Sequence, residues 1–344
     1  MNKLHEQKRK KQIKWSIMIV MLMITFFVSL FMGRYIVSPK VVLEILHSHI
    51  FKINLNMYEV ERSVVLGIRL PRTILSLLIG AGLAISGTTF QGLFKNPLVS
   101  PDVLGVSSGA GFGVALGILI FNNSTFTSLS AFIFGIVSVA LTFSLAKNKN
   151  KGSVLSLVLS GIVVSSIFSS LISLVKYVAD PYDKLPAITY WLMGSFAKTS
   201  FKDVKLVIVP IMAGIIILLL LRWRINILSL GDEEANSLGV NPVKIRLIAI
   251  ICATIITASS VTVVGVIGWV GLVIPHIARR IVGVDHKNLL PASGIIGAIF
   301  LTIVDIVART ATSVEIPIGI LTALIGAPFF GYLLKRNRKV TGDW

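Results

Sequence analysis

The sequence has few charged residues: Asp, Glu, Lys and Arg make up 14% of its 344 positions. Soluble domains usually carry about 25%. Hydrophobic residues reach 54%, and the mean hydropathy is +0.86. This composition excludes an ordinary soluble domain and predicts an all-α protein that crosses a membrane many times.

Cysteine and acidic residues are also scarce. Cys252 is the one cysteine and lies in an apolar run, so no disulfide framework is possible. The sequence has 15 acidic and 33 basic residues, which gives a net charge of +18. The basic residues cluster at the ends of apolar runs and not on one face, which favours a membrane protein over one that binds nucleic acid.

Signatures of catalysis are missing as well. The chain has no Gly-rich phosphate loop ending in Lys-Ser or Lys-Thr, so it is not itself a P-loop ATPase. Its five histidines lack the spacing of a metal site, and we predict no cofactor and no metal. An intramembrane enzyme is disfavoured, because no His, Asp and Ser are paired in facing spans.

Apolar windows and their breakers predict about ten membrane spans. The eighth is short and is separated from the seventh by three glycines, so it is predicted as a half-span or a re-entrant turn. The predicted spans lie near residues 13–33, 69–92, 104–121, 127–146, 154–176, 204–222, 245–265, 268–280, 290–308 and 316–335.

The distribution of lysine and arginine predicts the orientation. If the amino end is inside, most of the basic residues fall in the inside segments, as the positive-inside rule requires. Both termini are then cytoplasmic, and residues 1–14 form a basic cytoplasmic tail. On the other side, residues 38–67 have the apolar periodicity of a helix lying at the interface.

A polar segment, Leu230–Pro242, interrupts the apolar pattern between two predicted spans. Asp232, Glu233 and Glu234 suit the start of a short helix, which Gly239 can end. Such a helix, set among basic neighbours, favours contact with another protein. A solvated loop is the alternative.

Ionisable residues within or beside spans are candidates for function. Asp305 and Arg309 are four residues apart, so they share one helix face and can form an intramembrane ion pair. Arg309 could instead be free to meet an acidic partner. Arg69 and Arg72 precede the second span, either as interfacial anchors or as a docking site for carboxylates.

Five segments together resemble the FecCD-type permease subunits of ABC importers for iron–siderophores, haem and vitamin B12. The resemblance covers residues 60–335 in order. The segments are Arg69-Leu-Pro-Arg72 with Gly80-Ala-Gly82, Asn96-Pro-Leu98 running into Leu104–Gly109, Gly231–Gly239, Gly268–Arg279, and Glu315-Ile-Pro-Ile-Gly319 running to Gly326-Ala-Pro-Phe329.

The resemblance implies a single permease domain over residues 1–344 that pairs with a second permease subunit in the plasma membrane. Two ABC ATPase subunits would dock inside and a substrate-binding protein outside, with an iron-siderophore, related iron chelate, haem or cobalamin as the ligand.

A cytoplasmic coupling loop is expected at residues 223–245. By the same resemblance, Arg69, Arg72 and Arg309 receive the binding protein, and Gly152 and Ser153 belong to the inner gate. The residues expected to couple to the ATPase are Asp232, Glu233, Glu234, Ala235, Ser237, Leu238 and Gly239.

A gradient-driven secondary transporter is the rival interpretation, with Asp305 as its one deep carboxylate. The importer interpretation expects alternating access driven by ATP hydrolysis in a separate subunit. It also expects a mildly polar pathway lined by Ser, Thr, Gly and Met.

Overall fold

The computed structural model describes residues 2–51, 58–121, 123–146 and 154–341, which form fourteen α-helices and no strand. A 3₁₀ turn, Pro101–Leu104, precedes α5, and a wide π-type turn, Ser63–Arg69, joins α3 to α4. The helices are α1 (Asn2–Phe31), α2 (Pro39–Phe51), α3 (Glu59–Arg62), α4 (Leu70–Leu93), α5 (Val106–Ile120), α6 (Ser124–Ala146), α7 (Val154–Val178), α8 (Lys184–Leu192), α9 (Phe201–Leu228), α10 (Asp232–Ser237), α11 (Pro242–Val264), α12 (Val270–Val282), α13 (His286–Thr310) and α14 (Ile318–Thr341).

Ten of these helices coincide with the ten predicted spans, so the predicted fold class is confirmed. Seven helical stretches are long and apolar enough to cross a membrane alone, and Val106–Ile120 and Ile318–Leu333 are shorter apolar helices. The remaining predicted span is α12. Helix α2 lies in residues 38–67, where an interfacial helix was predicted, and α8 lies in the connection between α7 and α9.

The bundle has two ends, which we name after the short helices that lie there. At the α10 end, the Lys95 ammonium donates a hydrogen bond to the Leu230 carbonyl at 3.0 Å, so α4 ends beside α10. At the α2 end, Arg34 donates to the Thr312 carbonyl at 3.1 Å. Because α1 begins and α14 ends at the α10 end, the two ends of the described chain lie on one side, as an even number of crossings requires.

The eighth crossing is only partly helical. Residues 265–269 are non-helical, Gly265 and Trp269 have positive φ angles of 76° and 70°, and α12 then adds 13 residues. The five non-helical residues span at most about 16 Å and the 13 helical residues about 20 Å, which together suffice for a hydrocarbon core of about 30 Å. Non-helical backbone is tolerated at this depth where it is buried in protein or lines a water-filled cavity. Trp269 packs against Gly326, where a Cβ atom would lie 2.7 Å from Trp269 Cβ.

The structure refines two predicted boundaries and one predicted tail. The second crossing begins at Glu59 and not near residue 69, because α3, the π-type turn and α4 form one helical stretch of 35 residues. The predicted coupling loop at 223–245 is shorter, because α9 extends to Leu228 and α11 begins at Pro242. The predicted tail at 1–14 is helical from Asn2 as part of α1.

Glycines permit the closest helix contacts. Gly109, Gly113 and Gly117 of α5 face α6, and a Cβ atom at Gly113 would lie 2.4 Å from the Ser130 carbonyl oxygen. On the other side of the bundle, a Cβ atom at Gly80 of α4 would lie 2.3 Å from the Gly297 carbonyl oxygen of α13. The four-residue glycine spacing in α5 therefore serves helix packing, as small residues do in lipid.

Candidate functional site

A buried cluster of charged residues lies near the α2 end of the bundle, where α4 meets α13. We call it the charged cluster: Arg69, Arg72, Asp305, Arg309 and Glu315. Arg72 is at its centre, with 3% of its surface exposed, and Asp305 is fully buried. Helix α4 supplies Arg72 and α13 supplies Asp305, so the cluster fixes the contact between these two helices.

Arg72 is held by two carboxylates. Its Nε atom donates to Asp305 Oδ1 at 2.8 Å and to Oδ2 at 3.0 Å. Its Nη1 and Nη2 atoms donate to the two carboxylate oxygens of Glu315, at 3.0 and 2.9 Å. This forked geometry matches a planar guanidinium to a carboxylate. Glu315 follows α13 in the chain, so Arg72 also fixes the connection between α13 and α14.

Arg309 completes the pairing around Asp305. Its Nε atom lies 3.5 Å from Asp305 Oδ2, the ion pair that the four-residue spacing predicts. Its Nη2 atom donates at 2.7 Å to both the carbonyl oxygen and the hydroxyl oxygen of Ser29 in α1. Arg309 therefore joins α13 to α1 as well as pairing with Asp305.

Arg69 binds backbone carbonyls, and within the described residues it pairs with no carboxylate. Its Nη1 atom donates to the carbonyl oxygens of Leu30 at 2.7 Å and Phe31 at 2.9 Å, and its Nη2 atom donates to that of Tyr35. These carbonyls lie at and just beyond the carboxyl end of α1, where a cation is favourable. A Cβ atom at Gly33 would lie 2.7 Å from Arg69 Nη2, so a larger residue there would displace the guanidinium.

All three arginines predicted to dock a binding protein are therefore buried and paired internally in this conformation. In this conformation Asp305 and Ser29 hold the guanidinium of Arg309, which corresponds to the ion-pair alternative and not to the free arginine. Their docking role stays a prediction. Asp305, the carboxylate on which a gradient-driven mechanism would depend, lies between two guanidinium groups.

Sequence reasoning missed Glu315 and Ser29 as partners in this cluster. A signal for Glu315 was present, since Asp305 and Glu315 are the two acidic residues between His286 and Thr341. The separation of 243 positions between Arg72 and Glu315 concealed the pairing. Ser29 gave no signal, because serine is common in spans.

The predicted coupling segment forms α10 at the opposite end of the bundle. Asp232 begins the helix and accepts a hydrogen bond from Arg246 Nη2 at 2.8 Å, so this carboxylate ties α10 to α11. Ala235 is fully buried against the core. Gly239 follows the helix with a φ angle of 73°, a left-handed conformation that glycine adopts without strain.

The other face of α10 is exposed. Glu233, Glu234 and Ser237 are open to solvent, and Leu238 is 57% exposed. The Ser237 hydroxyl donates to the Glu233 carbonyl at 3.0 Å, which leaves both neighbouring carboxylates available. The structure thus separates one anchoring acid, Asp232, from two free ones, a distinction that the sequence did not make.

The segment Leu104–Gly109 forms the turn into α5. Gly105 has a φ angle of 82° and its carbonyl accepts a hydrogen bond from Ser138 at 2.9 Å. Asp102 lies in the preceding turn and accepts a hydrogen bond from the Ser107 hydroxyl. Burial raises the pKa of the Asp102 carboxyl above its ordinary value, and that hydrogen bond acts in the opposite direction.

A groove of 490 Å³ lies between this turn and α7. Its lining residues are Val103, Val158, Ile162, Ser165, Ser166 and Ser169. The serines continue along α7, where Ser169, Ser170 and Ser173 are exposed. Ser166, Ser170 and Ser173 each donate to the carbonyl four residues earlier at 2.9 to 3.0 Å, so their hydroxyl hydrogens are satisfied within the helix.

The predicted inner-gate residues Gly152 and Ser153 lie outside the described residues. Their role stays a prediction based on the resemblance alone.

Replacing Arg72 by methionine should lower the free energy of unfolding by about 3–5 kcal/mol, because Asp305 would lose its closest buried partner. Equilibrium unfolding of the purified chain in mixed detergent measures this. Lys40→Met is the control, because Lys40 is 87% exposed and its pair with Glu44 is long, at 4.0 Å. Equal effects of the two substitutions would contradict a stabilising role for the cluster.

Comparison with known proteins places these features in a family. The model of the FecCD transport family matches residues 21–336. The chain is 42% identical over 320 residues to the molybdate import system permease protein MolB of Haemophilus influenzae, covering 93% of this chain and 94% of that protein. It is 47% identical over 278 residues to a probable iron chelatin transport system permease protein of Helicobacter pylori, covering 80% and 84%.

A solved structure leads to the same family assignment. An inward-facing structure described as a metal-chelate type ABC transporter superimposes with a TM-score of 0.85 at 40% identity, covering 95% of this chain and 99% of that one. Both the matched length and the identity are sufficient to assign the family. The chain belongs to the FecCD transport family, whose members are the non-catalytic, membrane-spanning permease subunits of ABC transporters.

Proposed function

We propose that this chain forms half of the pathway through which an ATP-driven importer carries an iron-siderophore or related iron chelate into the cell. A second permease subunit supplies the other half, a pair of ABC ATPase subunits supplies the energy, and an extracytoplasmic binding protein delivers the cargo. The observation that carries the proposal is the match to the family over nearly the whole chain, together with a solvent-exposed acidic helix, α10, between two crossings.

We propose α10 as the contact with the ATPase. Its buried side is fixed to the bundle by Ala235 and by the pair of Asp232 with Arg246, so a push on its exposed side is transmitted to α9 and α11. The exposed side offers Glu233, Glu234 and Leu238, a small apolar contact with adjacent negative charge. This combination suits a cleft on a soluble subunit with basic residues at its rim.

Reversing the charge at Glu233 or Glu234 to arginine should leave folding intact and reduce ATP-driven uptake at least tenfold, because both side chains are exposed and paired with no neighbour in the described chain. The measurement is the ratio of cargo transported to ATP hydrolysed in proteoliposomes. Glu59→Arg is the control, an exposed acid at the α2 end. Full coupling in both α10 variants would contradict the assignment.

We propose that the serine face of α7 lines the pathway beside the second subunit. The hydroxyl hydrogens of these serines bond to the helix backbone, but the exposed hydroxyl oxygens keep acceptor lone pairs that a polar cavity or another helix can use and lipid tails cannot. The adjoining groove of 490 Å³ would form one part of such a cavity. This face of α7 carries hydroxyl groups and no carboxylate, which supports its proposed place in a mildly polar pathway.

We propose that the binding protein docks at the α2 end and that its acidic residues reach the charged cluster. The cluster holds three arginines against two carboxylates, so it has an excess positive charge. Glu315 is its outermost carboxylate, 23% exposed, and it occupies the face of Arg72 that an incoming carboxylate would use. Docking at Arg72 would therefore exchange an internal carboxylate for an external one.

Glu315→Gln should strengthen association with the binding protein severalfold at low salt, because it frees the Arg72 guanidinium. Surface plasmon resonance on the assembled importer measures this. Glu44→Gln removes the same charge from the same end without freeing an arginine, and it should have a smaller effect. Equal gains, or no gain from Glu315→Gln, would contradict docking at Arg72.

The cargo has a second candidate, molybdate, because the relative MolB is named for molybdate import. The similarity to a permease named for an iron chelatin and to a metal-chelate type transporter favours an iron chelate. Proteoliposomes that contain the permease, its ATPase and its binding protein should accumulate radioactive iron supplied as a siderophore complex when ATP is present. Accumulation of radioactive molybdate alone would establish the second candidate, and accumulation of either cargo without ATP would refute the importer.

We propose that the α10 end, with both termini, is cytoplasmic. Cys252 is the single cysteine and is buried, so maleimide labelling of an introduced cysteine can be measured without interference from the native thiol. In intact cells, a membrane-impermeant maleimide should label Tyr182→Cys, at a position that is 93% exposed near α8, and should not label Ser237→Cys. The opposite pattern would reverse the orientation.

A further inference from the structure

The basic segment at the start of α1 takes no part in the function proposed above. It consists of Lys8, Arg9, Lys10, Lys11 and Lys14. The family match begins at residue 21, so these residues lie outside the region that the family shares. All five are exposed.

The position of this segment relative to lipid follows from the length of α1. Its 30 residues extend about 45 Å, whereas a hydrocarbon core is about 30 Å thick. The apolar part, Trp15–Phe31, is about 26 Å long and crosses most of the core. Lys8 to Lys11 then continue the same helix through the headgroup layer without an intervening loop.

The surroundings of α1 favour lipid as the partner. Ile13, Ile17, Val20 and Ile24 are each about half exposed, so α1 lies at the periphery of the bundle. It packs on α13, α4 and α12. Because consecutive residues of a helix point in directions about 100° apart, the four consecutive residues Lys8–Lys11 surround the helix, and some of them reach the adjacent headgroups.

Two contacts fix the segment and show which charges remain free. The Lys14 ammonium donates to the Ile281 carbonyl at 2.7 Å, at the carboxyl end of α12, which holds α1 at a set depth. Lys10 pairs with Glu6 at 2.7 Å. For Lys8, Arg9 and Lys11 the described part of the chain offers no salt bridge or hydrogen bond.

We infer that Lys8, Arg9 and Lys11 form a binding surface for the headgroups of anionic phospholipids, which retains such lipids beside α1 and α12. Clusters of basic residues directly beside a membrane span attract anionic leaflets by this mechanism. The inference rests on the proposed cytoplasmic position of the α10 end for its assignment to the inner leaflet.

The test compares Lys8→Gln/Arg9→Gln/Lys11→Gln with the unmodified chain in neutral detergent. Each sample is titrated with phosphatidylglycerol or phosphatidylcholine, and bound lipids are counted by native mass spectrometry. The substitutions should weaken phosphatidylglycerol binding at least tenfold, because each basic residue near an anionic surface contributes about fivefold. Binding of phosphatidylcholine should not change, and 0.5 M salt should remove the difference.

The matched control is Lys198→Gln/Lys202→Gln/Lys205→Gln, which removes three exposed charges at the α2 end. An equal loss of phosphatidylglycerol in this control, or no loss in the α1 variant, would overturn the inference. Competition by soluble glycerol phosphate at equal headgroup concentration would overturn a lipid site in favour of a free anion. Loss of ATPase association from the lipid-free α1 variant would overturn it in favour of a protein contact.

Failure of the inference can be distinguished from failure of the proposed orientation. If Ser237→Cys is labelled from outside while phosphatidylglycerol binding depends on Lys8, Arg9 and Lys11, the lipid surface stands and the orientation fails. If the labelling is as expected and phosphatidylglycerol shows no preference, the orientation stands and the lipid surface fails.

Discussion

A guanidinium buried in a bundle that lies in lipid is stable only where acceptors surround it, and the charged cluster meets this condition at Arg72. Asp305 and Glu315 together accept from all three of its nitrogen atoms. These partners come from α13 and from the connection to α14, while Arg69 and Arg309 bind the end of α1. One set of polar contacts therefore holds four separate parts of the chain at the α2 end, and lipid offers no substitute for any of them.

The rest of the bundle depends on close backbone contact, which complements the polar contacts of the cluster. Glycines at the crossings of α4 with α13 and of α5 with α6 bring the helices together at distances that a side chain would prevent. The eighth crossing follows the same rule in a different form, because its non-helical part packs closely against Gly194 and Gly326. Rigid packing of this kind would allow a push on α10 to reach the bundle as a movement of whole helices and not as a local deformation.

The two ends of the molecule differ in how they present charge. At the α2 end, three arginines are enclosed by internal partners, so under the proposed docking an external partner would replace existing contacts. At the α10 end, Glu233 and Glu234 stand free on a helix that is fixed from behind. The first arrangement suits the proposed binding protein, which would associate and dissociate each time it delivers cargo. The second suits a permanent contact with the proposed ATPase subunit.

The sequence by itself determined the fold class, the ten crossings, the short helix at Asp232 and the ion pair of Asp305 with Arg309. Each of these depends on local periodicity, on turn residues or on a four-residue spacing, which a single segment contains. The family resemblance also followed from motif order alone. Only the tertiary structure decided that Arg72 binds Glu315, that Arg69 and Arg309 face inward to α1, and that Asp232 is an anchor while its neighbours are free. Those outcomes depend on contacts between residues as far as 280 positions apart, and no local pattern records which distant segments meet.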